Sequence, residues 1–92
     1  MHAVVIAVTI AAAQFESAVK VLRENIVPQI GRAPGFVKGY WTVNADRSNG
    51  LSIVVFKTKG DAETAAQAAA STPLPPGVTF STSEIREVVA EA

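Results

Sequence analysis

The stretch 4–10 reads VVIAVTI, apolar at every position except Thr9 and almost wholly β-branched. Residues of this kind favour a strand. A strand over 2–10 carries Val4, Ile6, Val8 and Ile10 on one face, with Ala3, Val5 and Ala7 on the other. Both faces therefore seek burial. This demand constrains the fold more than any other feature, because 92 residues offer little material to cover two sides of a sheet.

Further elements follow from periodicity. Phe15, Val19, Leu22, Ile26 and Ile30 form one stripe of a helix over 13–30, which Pro28 is expected to kink. Pro34-Gly35 punctuates a turn over 31–35. A strand over 36–46 and another over 51–58 form a hairpin, with positive φ expected at Asn49-Gly50. Asp61 is a suitable N-cap for an alanine-rich helix over 61–71. The final strand spans 78–89. Val78 and Phe80 differ in parity from Ile85 and Val89, so a β-bulge is expected near Ser83–Glu84.

The order is β-α-β-β-α-β in one domain, 1–92. Right-handed crossovers close it into a ferredoxin-like α+β fold, a four-stranded antiparallel sheet with two helices on one face. The opposite face then lies bare. A second copy packing sheet to sheet, as a homodimer, is the expected cover. A 49% apolar content with only 17% charged residues agrees with that need.

Charge and composition exclude several functions. Eight basic residues balance eight acidic ones, without a Lys/Arg cluster to meet phosphates. The Lys38-Gly39-Tyr40…Val43 match to an RNA-binding strand falls on the second strand instead of the third, so no nucleic acid is expected. There is no cysteine and one histidine, so a thiolate or multi-histidine metal centre within one chain is excluded. The apolar run at 3–13 has no basic residue before it, unlike a signal peptide, and is too short to span a membrane. A cytoplasmic protein without membrane attachment is expected.

The chemistry-bearing candidates are few. Trp41 is the only tryptophan and sits mid-strand, as a packing residue or as the wall of a pocket for a planar ligand. Alternation sends Tyr40 to the face opposite Trp41 without fixing which one meets the helices. Phe15, Phe56 and Phe80 serve as core or line an apolar cleft between helix and sheet. His2 reads first as a solvated terminal residue and second as a pocket group. No carboxylate pair has acid–base spacing, and catalytic residues are unassigned.

Pro34-Gly35-Phe36-Val37, followed by Gly39 and Trp41, resembles the PGF-x-x-G-x-W segment of dimeric α/β-barrel proteins. The resemblance extends to the antibiotic-biosynthesis-monooxygenase-like group and covers essentially the whole chain. It implies a dimeric ferredoxin-like protomer with a pocket between helices and sheet. Members of that group include cofactor-independent oxygenases of polycyclic aromatics and haem-degrading enzymes. The second helix carries no His where the haem-degrading relatives place their iron ligand, so no cofactor is expected. Two readings remain: a cofactor-independent monooxygenase-like enzyme acting on a planar aromatic, or a non-catalytic ligand-binding or structural dimer.

Overall fold

A computed structural model describes all 92 residues. Its strands are β1 (His2–Ile10), β2 (Phe36–Val43), β3 (Asn49–Phe56) and β4 (Val78–Glu87). A 3-10 turn, Ala12–Gln14, leads into α1 (Phe15–Val21), a widened π turn (Leu22–Ile26) and α2 (Val27–Gly31). These together make the first helix. The second helix is α3 (Lys59–Ser71). The antiparallel sheet runs β2-β3-β1-β4, which is the expected ferredoxin-like order. No helix is long and apolar enough to cross a membrane.

The pairing register sorts every side chain. Val4 faces Val54 and Ile85, while Ile6 faces Ser52 and Ser83. Val4, Val54, Phe56 and Ala62 form the buried core, so even positions of β1 and β3 look toward the helices. Ala62 is fully buried, and its small side chain brings α3 close to the sheet. Phe36 meets Phe56 edge-on with ring centroids 6.3 Å apart, a favoured aromatic geometry.

Local details depart from the sequence expectations. The first helix is interrupted just ahead of Pro28 and resumes with it. Val27 donates to the carbonyl of Leu22, five residues back, so the helix widens ahead of the proline. Pro28 then occupies the first turn of α2, where its missing donor is not needed. The α3 cap is Thr58, whose hydroxyl accepts from the Asp61 N–H at 3.1 Å; Asp61 lies inside the helix. In the hairpin Arg47, not Asn49 or Gly50, has positive φ, at 62°. The bulge in β4 leaves Ser81 between the pairs Val8–Phe80 and Ala7–Thr82, slightly before the expected site. It returns both Phe80 and Ile85 to the helix side. A second bulge at Val37 was not anticipated.

Candidate functional site

Two glycines explain why the segment from Pro34 to Trp41 has its sequence. Gly35 adopts φ +76°, and a Cβ there would collide with the Asp61 carboxylate. The bare backbone lets the chain enter β2 against the start of α3, and the Gly35 carbonyl accepts from the Lys57 N–H at 2.8 Å. Gly39 has a different role. Its missing Cβ would lie 2.8 Å from the Trp41 indole. The indole therefore lies over Gly39, on the helix-facing side of β2.

This settles the Tyr40/Trp41 alternative. Trp41 is half-buried and packs against the core beside Ile30, Ala33 and Phe36. Tyr40 points to the other face and is 58% exposed. On that outer face the alternating positions Val5, Ala7, Leu51, Ile53 and Val55 join Tyr40 in an apolar surface.

The remaining candidates do not converge on one pocket. Phe56 is 1% exposed and offers no surface to a ligand. Phe80 lies in β4, at the far sheet edge from β2, and is 49% exposed. His2 is paired across the sheet with Phe56 and Glu87, half-buried instead of solvated, and its buried Nδ1 has no hydrogen-bond partner. Phe15 stands at the start of α1, beside the β2–β3 hairpin. No three His, Asp or Glu side chains meet in a group suited to a metal ion.

Two adjoining grooves, about 260 and 490 Å³, open where α1 faces that hairpin. Both are lined by Phe15, Glu16 and Arg47. The larger continues along the helix past Val19, Lys20 and Arg23. Phe15 and Val19 open the apolar stripe that ends at Ile30, and both Ile30 and Trp41 pack against the buried core. Trp41 lines neither groove.

Arg47 lines the mouth of both grooves. Its guanidinium carbon sits 4.9 Å from the Phe15 ring centroid, a cation–π contact of about 0.5–1 kcal/mol at an exposed site. The left-handed backbone at Arg47 costs a non-glycine residue roughly 1–2 kcal/mol. The loop supplies compensation. The Asn44 side chain accepts from the Asn49 N–H at 2.9 Å, and the Arg47 N–H donates to the Asn44 carbonyl at 3.0 Å. The Ser48 hydroxyl and N–H both donate to Asp46. These bonds, the hydroxyl's first, hold the Asp46 carboxyl below its ordinary value of 3.8.

Arg47 and its loop were not singled out from the sequence. The signal was the Asn44-x-Asp46-x-Ser48 spacing, since such side chains bond to backbone a few residues on and stabilise left-handed turns. The neighbouring Asn49-Gly50 drew the assignment instead, although both belong to β3.

The sequence matches no protein-family model and no curated protein. The fold does have a solved counterpart. A monooxygenase from the ActVA-Orf6 gene of Streptomyces coelicolor, in complex with the ligand nanaomycin D, superposes with TM-score 0.60 over 99% of this chain and 92% of that one. The two sequences are 12% identical, so the likeness concerns architecture, and a shared fold does not by itself transfer an activity. The chain shares the ferredoxin-like fold of that monooxygenase.

Proposed function

We propose that this protein is a cytoplasmic, homodimeric, monooxygenase-like enzyme that binds a planar, electron-rich aromatic between its first helix and the sheet. The observation that carries this reading is the near-complete superposition on a monooxygenase solved with nanaomycin D. The half-buried Trp41 on the helix-facing side of β2 supports it, because an indole face suits a flat aromatic partner.

The reaction needs no residue to form a covalent bond. A bound phenol loses its hydroxyl proton, and the electron-rich ring reacts with oxygen. For a naphthol, one ring C–H and the O–H are oxidised to a quinone. One atom of O₂ becomes the new quinone oxygen and the other leaves as water. Trp41 holds the ring.

The test is incubation of purified protein with 1-naphthol while oxygen uptake and quinone formation are followed. One quinone per O₂, lost in Trp41→Ala, supports the proposal. Naphthol bound and recovered unchanged instead favours a ligand-binding module. Turnover and binding untouched by Trp41→Ala sink the reading.

A second copy on the outer sheet face completes the picture. The chain exposes 6036 Å², against about 5,100 Å² expected for a folded monomer of 9.6 kDa. The excess is comparable to the roughly 800 Å² each partner buries in a standard interface. Native mass spectrometry should give a dimer, and Ile53→Lys should give a monomer; a wild-type monomer rejects this arrangement.

A further inference from the structure

We propose that Arg47 recognises the carboxylate of a planar aromatic acid whose ring enters the groove beside Phe15. This rests on the aromatic-pocket reading and adds a ligand class to it.

The guanidinium is placed and unspent. It lies against the Phe15 ring and lines both grooves. It forms no ion pair, since the chain's one salt bridge joins Arg86 to Glu84. The adjacent acid is occupied elsewhere: Asp46 accepts from the Ser48 N–H and hydroxyl. Glu16 lines the same grooves, yet it makes no ion pair with Arg47. A planar guanidinium fork matches a carboxylate in a bidentate manner. A flat ring attached to that carboxylate would follow Phe15 and Val19 along the larger groove.

The rest of the groove argues for a small monoanion over a polyanion. Lys20 and Arg23 line it together with Glu16 and Glu24, so the wall carries balanced charge. Arg47 is the cation set against an aromatic ring. The backbone supports the same conclusion. Arg47 is held at φ 62° in a loop closed by its own N–H on the Asn44 carbonyl and by the Asn44 side chain on the Asn49 N–H, a strained backbone of the kind found where a chain positions a binding group.

The experiment is calorimetric titration with 1-hydroxy-2-naphthoate and its methyl ester, on wild type, Arg47→Asn and Arg47→Lys. Asparagine tolerates the left-handed conformation, so the loop should persist. Wild type should bind the acid at least about tenfold more tightly than the ester, a difference of about 1.4 kcal/mol. Arg47→Asn should reduce the acid to the level of the ester and leave the ester unchanged. Arg47→Lys should recover only part of the preference. Equal binding of acid and ester by wild type overturns the role of Arg47 while leaving the aromatic pocket standing. Equal weakening of both ligands in Arg47→Asn also overturns it, by showing a merely structural effect. Binding of neither ligand overturns the pocket reading, and this inference with it.

Discussion

The two helices cover the same sheet face in different ways. α3 presents alanines: Ala62 is fully buried over Val4, Val54 and Phe56, with Ala65 and Ala66 packed beside it. Its neighbours are β1, β3 and β4. The first helix has one buried residue, Ala18, presents Phe15, Val19, Leu22 and Ile26, all half-buried, and meets β2 chiefly through α2. Small side chains bring a helix down onto the sheet. Large ones hold it off, and the widened turn at Leu22–Ile26 interrupts the arm further. One half of the layer is a core, and the other is a cleft along an apolar stripe.

The largest expected effect lies in the core half. Phe56→Ala should lose about 3–5 kcal/mol in urea unfolding, the usual range for a buried aromatic. A loss near 1 kcal/mol would show that Phe56 is not a core residue. Next comes a direct test of the asymmetry. Ala62→Leu should destabilise by about 1–3 kcal/mol through overpacking. Val19→Ala, in the cleft half, should cost less than about 1 kcal/mol, and equal penalties would erase the distinction.

Gly39→Ala sharpens the position of Trp41. The added methyl would meet the indole at about van der Waals overlap, so the ring must move. The emission of this single tryptophan should shift to the red, with little change in the unfolding midpoint. An unchanged spectrum would remove the indole from Gly39.

The smallest effect belongs to the hairpin. The lowered pKa of Asp46 means that its hydrogen bonds stabilise the fold above the ordinary value of 3.8. That contribution disappears as the pH falls through the lower native value. Asp46→Asn should therefore melt slightly below wild type at neutral pH and alongside it near the acid limit. A difference that grows in acid would contradict this sign.

Much of the architecture was readable in the residues. The continuous β-branched apolar run of β1 marked its span from His2 to Ile10, and the PGF-x-x-G-x-W segment marked the entry to β2. Alternation alone placed Tyr40 and Trp41 on opposite faces, but choosing between the faces required the register against Val54 and Ser52. The hairpin misled because Asn49-Gly50 is a strong local turn signal. The longer-range bonds from Asn44 and Asp46 moved positive φ to Arg47. The site was harder to read, because Phe15 and Arg47 meet across more than thirty residues and no periodicity encodes that approach. Phe56 and Phe80 look alike in sequence and separate only by sheet position: Phe56 under α3, Phe80 at the open edge.

The central claim is that the first helix, not α3, is the loose and ligand-responsive half. Amide hydrogen exchange tests it most directly, with and without 1-naphthol. Residues 15–26 should exchange well before α3 in the free protein. On adding naphthol, protection should rise in 15–26 and 39–43 and stay constant in α3. Equal protection of both helices in the free protein, or protection gained in α3 alone, would contradict the account.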